Sequence, residues 1–146
     1  MWTGLSVHAH RMRANGMSLD PSLPTVPGVL AAAGYRTHGV GKFHLTPFQT
    51  KTGADLNALN PADYPESRNM WFTGRIGQLP VPYYGLQSGH LVNGHGDYFW
   101  GEYRNWLRRV APEVVRAIDA HKKDRGENWQ STFRSHVPAE LHHSHW

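Results

Sequence analysis

The stretch Gly39-Val-Gly-Lys-Phe-His-Leu45 sets a lysine and a histidine two residues apart, framed by glycines and directly after a short β-like run. In extended chain, residues at i and i+2 face the same side. Lys42 then offers a fixed positive charge, and His44 a titratable imidazole beside it. Such a pair suits the grip of a tetrahedral anion. On its own, Lys-x-His is also an ordinary solvated surface feature, so its meaning depends on the elements that hold it.

Three further histidine groups are candidates for chemistry. His8 and His10 form an H-x-H pair that in extended chain shares one side, and His142, His143 and His145 cluster in the tail. His90 and His95 flank Asn93-Gly94, a spacing that suits a loop. Zinc centres need three or four placed ligands with supporting hydrogen bonds behind them. None of these groups supplies that locally, so surface or hydrogen-bonded structural histidines are expected and no metal ligand is assigned. Asp55, Asp63, Asp97 and Glu102 are scattered without the paired spacing of an acid–base couple. No Gly-rich phosphate loop and no G-x-S-x-G nucleophile elbow is present.

The elements that must position Lys42 and His44 begin at Thr25, a good N-cap with Pro27 in the first helical turn. Val26, Val29, Leu30 and Ala33 follow the i, i+3, i+4, i+7 pattern and predict a buried helix face, which Gly34 ends at the C′ position. Tyr35 to Val40 reads as a strand broken by Gly41. Helix, one-glycine turn and strand make an αβ unit, and in open α/β sheets ligands bind beyond the carboxyl ends of strands. Lys42 and His44 lie just past that end.

Elsewhere, residues 1–23 read as loop with an Asn15-Gly16 turn, and the proline-rich 46–82 stretch reads as mostly irregular. Leu86 to Val92 reads as a strand. Asp97 to Val110 carries a helical stripe of Phe99, Tyr103, Trp106, Leu107 and Val110, and Pro112 to Ala120 continues as a second helix. Lys122 to Gln130 is a polar linker, and Ser135 to Trp146 starts another element.

The 146 residues fit one domain, and 15 glycines with 10 prolines favour a loop-rich α/β protein over a helical bundle. There is no cysteine, which removes disulfide and thiolate–metal scaffolds. The net charge of +4 favours anionic partners. The one dense basic cluster, Lys122, Lys123 and Arg125, is short and lacks aromatic interleaving, so no nucleic-acid partner is expected. No apolar run approaches the roughly 20 residues of a membrane span, and no leader is visible after Met1. No membrane partner is expected, while compartment and oligomeric state stay open.

The ordered set Thr3-Gly4, Pro24-Thr25, Leu30, Ala33-Gly34-Tyr35, Thr37 and Gly41-Lys42-x-His44-Leu45 resembles the sulfatase family of the alkaline-phosphatase superfamily. The pieces PYYGLQSGHLVNGHGDYFWGEYRNWL and VPAELHHSHW resemble later segments of arylsulfatase-like members, less distinctively. The resemblance implies a partial sulfatase-like layered α/β fold over residues 1–146, a fragment with few strands and flanking helices. It implies a sulfuric-ester hydrolase acting on an aryl, glycan or other small-molecule sulfate ester. Lys42 would set positive charge against the developing anion, and His44 would donate a hydrogen bond to a sulfate oxygen or assist the leaving group.

The same resemblance puts the formylglycine nucleophile ahead of Met1. It puts the calcium-binding aspartates and asparagine partly upstream and partly beyond Trp146. Calcium is therefore expected of a complete family enzyme and not of this chain alone, and the chain by itself is expected to be inactive. A phosphodiesterase or phosphonate hydrolase of the same superfamily, and a non-catalytic anion- or metal-binding module, are the alternatives. A segment cut from a larger sheet would also leave strand edges unpaired and apolar faces uncovered.

Overall fold

The computed structural model describes residues 2–96 and 98–125. Around one small mixed sheet it arranges α1 (Val7–His10), α2 (Val26–Ala32), β1 (His38–Gly41), α3 (Arg68–Phe72), β2 (Ser88–His95), β3 (Tyr98–Gly101), α4 (Glu102–Val110) and α5 (Pro112–Arg125). The strand order is β1-β2-β3. β1 runs parallel to β2 in the register His38↔Ser88 to Gly41↔Leu91, and β3 returns antiparallel, pairing His95 with Tyr98 and Val92 with Gly101. The chain is thus an α/β domain whose central strand, β2, outruns β1 by Val92 to His95.

Strand alternation divides the sheet into two unlike faces. Leu91, Asn93 and Trp100 turn to one face, where the first core gathers Phe43, Leu45, Met70, Trp71, Ile76, Leu79, Tyr83 and Leu86. Phe99, next to Trp100 on β3, turns to the other face and joins Leu107 of α4, Ala111 at the junction, and Val114, Val115 and Ile118 of α5. One four-residue strand therefore ties both cores together. Arg104, 2% exposed, is clamped there between the Phe72 and Phe99 rings, its Nη2 donating to Asp119 Oδ1 at 2.6 Å.

Several expectations are corrected. The helix from Thr25 forms as α2, with Thr25 Oγ1 accepting from Gly28 N at 3.1 Å and Gly34 left-handed at its end. Its predicted buried face is not buried: Val26, Val29, Leu30 and Ala33 are exposed, and Pro27, Gly28 and Ala31 make the closer contacts. The apolar stripe has no partner among the described residues, while the Thr25 hydroxyl, donating to Tyr84 O at 2.7 Å, ties the helix down at its other side.

The first strand starts at His38 rather than Tyr35 and includes Gly41, and the second is Ser88–His95 rather than 86–92. The helix expected over 97–110 is a strand followed by a helix, because Gly101, at φ 111, turns the chain between them. Trp106 and Val110 consequently lie outward, and Arg104 and Leu107 inward. α5 runs to Arg125, through residues expected to be linker, and one helical turn, α1, interrupts the first loop. The 46–82 stretch is largely irregular as expected, yet it lays Met70, Trp71, Ile76 and Leu79 over the sheet. The linker beyond Arg125 and the element at Ser135–Trp146 lie outside the described residues.

Candidate anion site at the end of the parallel strands

β1 and β2 are parallel, so their carboxyl ends share one edge of the sheet. There the chain leaves β1 through Gly41, at φ 114, a backbone value that side-chain-bearing residues rarely adopt. Gly39 has a different reason to be glycine: a Cβ there would meet Leu86 Cδ1 at 2.6 Å and Phe43 Cζ at 2.8 Å. The two glycines let the strand bury Phe43 and then turn.

From Lys42 onward the segment alternates. Lys42 is exposed, Phe43 buried, His44 half-buried and Leu45 buried. The backbone of this segment is pinned from within. Phe43 N donates to Asn93 Oδ1 at 3.2 Å, and Leu45 N and Thr46 N donate to Glu66 Oε1 at 2.7 and 3.1 Å. Glu66, fully buried, also accepts from the Tyr83 hydroxyl at 2.6 Å and, through Oε2, from Asn93 Nδ2 at 3.0 Å. Four donors meet this carboxylate, the pattern an acceptor-only group requires. Burial, reinforced by the neighbouring carboxylate, pushes the Tyr83 hydroxyl far above the ordinary phenol range.

On this pinned segment the two predicted residues come together around Phe48. His44 stacks on the Phe48 ring, with centroids 3.9 Å apart and planes at 15°. Lys42 Nζ lies 5.4 Å from the same ring centre and 3.1 Å from His95 Nε2. His95 ends β2 on the face of Leu91 and Asn93, and the projection of β2 beyond β1 carries it to the lysine. The result is a cation, two imidazoles and an aromatic slab at the carboxyl edge of the parallel pair. An oxyanion is the ligand that such donors accept.

Three members of this arrangement went unassigned from sequence. His95 reads as a loop residue in Asn-Gly-His-Gly-Asp, although the alternation Leu91, Asn93, His95 before a Gly-Asp turn is a strand-and-hairpin signal. Phe48 and Glu66 carry no local signal. Among the described residues the remaining histidine groups do not assemble a metal centre. His8 and His10 lie on the helical turn α1 rather than extended chain, and His10 Nδ1 accepts from Met12 N at 3.2 Å. His90 is in β2 rather than a loop and packs edge-on against His38, 5.5 Å between centroids. His142, His143 and His145 lie outside the described residues.

Among the described residues no three His, Asp or Glu side chains are grouped to hold a metal ion. No described helix is long and apolar enough to cross a membrane. No family model, curated protein or solved structure matches the chain.

Proposed function

We propose that the chain is the oxyanion-gripping portion of a sulfuric-ester hydrolase of the sulfatase type, binding the sulfate group of an aryl, glycan or other small-molecule sulfate ester through Lys42 and His44. One observation carries the reading: Lys42 stands at the carboxyl end of a parallel strand pair with an imidazole nitrogen 3.1 Å from its ammonium. The ordered Gly41-Lys42-x-His44 motif in its Pro-Thr…Ala-Gly-Tyr setting supplies the substrate class. Lys42 places fixed charge where negative charge gathers, and His44, held flat on Phe48, offers a ring nitrogen to an oxygen or to the leaving group.

Turnover is not expected of the chain alone, since loss of a covalent nucleophile costs on the order of a millionfold in rate. The test is calorimetric titration of the 146-residue chain with inorganic sulfate, alongside an aryl sulfate assay. The reading expects weak sulfate binding, in the range of about 1 mM, lost in Lys42→Ala, with no hydrolysis above background. A folded chain that is silent to sulfate, or one that binds it equally without Lys42, overturns the reading. Hydrolysis abolished by Lys42→Ala would overturn the inactivity and keep the site.

A further inference from the structure

The contact between Lys42 and His95 fixes more than a distance. An ammonium has only protons to offer, so the His95 Nε2 that lies 3.1 Å away must present its lone pair, and the ring proton sits on Nδ1. Toward Lys42, His95 thus acts as an acceptor through Nε2. Protonating it would put two positive charges against each other, an arrangement a nearby anion relieves.

We propose that His95 is a member of the oxyanion seat and that it takes up a proton when the anion binds. This rests on the reading above that Lys42 grips a sulfate-type oxyanion. The proton comes from solvent and adds to the Nε2 lone pair that Lys42 releases. One anion oxygen then accepts from Lys42 Nζ and another from the new Nε2–H, so a doubly charged anion meets two positive charges. No bond other than N–H forms and nothing is oxidised.

The surroundings leave His95 free to do this. His44 lies against Phe48 on the adjoining segment. Arg68, at the start of α3, donates to the Tyr98 hydroxyl of β3. The Glu66 carboxylate is taken up by Leu45, Thr46, Tyr83 and Asn93. Among the described residues no carboxylate bonds Lys42 or His95. Asp97, two residues on, lies outside them and needs its own control.

The experiment is titration of the whole chain with inorganic sulfate in two amine buffers of different ionisation enthalpy, from about pH 6 to 8, where imidazoles titrate. The expected result is uptake of close to one proton per sulfate at the alkaline end, with affinity rising roughly tenfold as pH falls across the range. His95→Gln, which keeps a hydrogen-bond donor, should retain weak binding and lose both the proton and the pH slope. Asp97→Asn should keep both. Binding that depends on Lys42 but takes up no proton overturns this inference and leaves the sulfate reading standing. So does uptake that survives His95→Gln or vanishes in Asp97→Asn. A folded chain that binds no sulfate at any pH overturns both. The proton count on the unaltered chain needs no variant, so misfolding of His95→Gln cannot obscure it.

Discussion

At the scale of single residues, the site is held from below by a side chain that touches no ligand. Glu66 gathers two backbone N–H groups of the segment carrying Lys42 and His44, together with the Tyr83 hydroxyl and the Asn93 amide. Buried donors left without an acceptor cost about 1–3 kcal/mol each. Glu66→Ala should therefore lower stability by roughly 3–5 kcal/mol, allowing for partial rescue by water. Urea unfolding of the two chains measures this, and a change under about 1 kcal/mol would mean that the carboxylate is not the anchor it appears in the geometry. Because Asn93 Oδ1 accepts from Phe43 N, next to Lys42, a milder variant, Asn93→Ala, should loosen sulfate binding at Lys42 more than it lowers the unfolding midpoint.

At the scale of elements, β1 and α2 stand half-built. β1 pairs with β2 on one side alone among the described residues, and Val40 on its outer face is 68% exposed. α2 shows solvent Val29, 61% exposed, beside Val26 and Leu30. An unpaired edge with exposed β-branched and aliphatic residues is a template for adhesion to another chain. Val40→Lys places a charge on that edge at a position with little packing to lose. The expected outcome is less self-association by light scattering at matched concentration, with the unfolding free energy changed by no more than about 0.5 kcal/mol. Unchanged scattering would locate the adhesive surface elsewhere.

At the scale of the whole molecule, one buried and one half-buried phenol, Tyr83 and Tyr84, link the first core to pH. Burial first, then the Glu66 and Asp20 carboxylates, push the Tyr84 hydroxyl up from 10.0 to about 12, and Tyr83 lies higher still. Tyr84 donates to Leu19 O at 2.6 Å and so fastens the N-terminal loop to the core. The folded chain keeps these protons at a pH where the unfolded chain has begun to lose them. Their stabilisation is thus complete below about pH 10 and declines as pH rises through the folded-state values. Urea midpoints should fall between about pH 9.5 and 11.5, and Tyr84→Phe should flatten that fall while lowering stability at neutral pH by about 1 kcal/mol. A midpoint independent of pH across that window would sink the argument.

The sequence by itself determined what depends on neighbours along the chain. Thr25, Pro27 and Gly34 bound a helix through local capping and backbone preference, and the glycines around Lys42 end a strand, because those effects act within four residues. The Lys42–His44 pair was legible for the same reason. Only tertiary structure decided the rest. Whether the apolar stripe of α2 is buried depends on what lies across from it, and the boundary between β3 and α4 at Gly101 overrode a continuous helical pattern once Phe99 and Trp100 had cores on opposite faces to enter. His95 reaches Lys42 across 53 positions of sequence because β2 is parallel to β1 and longer, a fact of register that no local pattern carries. Glu66 was invisible for a like reason, since a buried acid declares itself only through the donors that the fold brings to it.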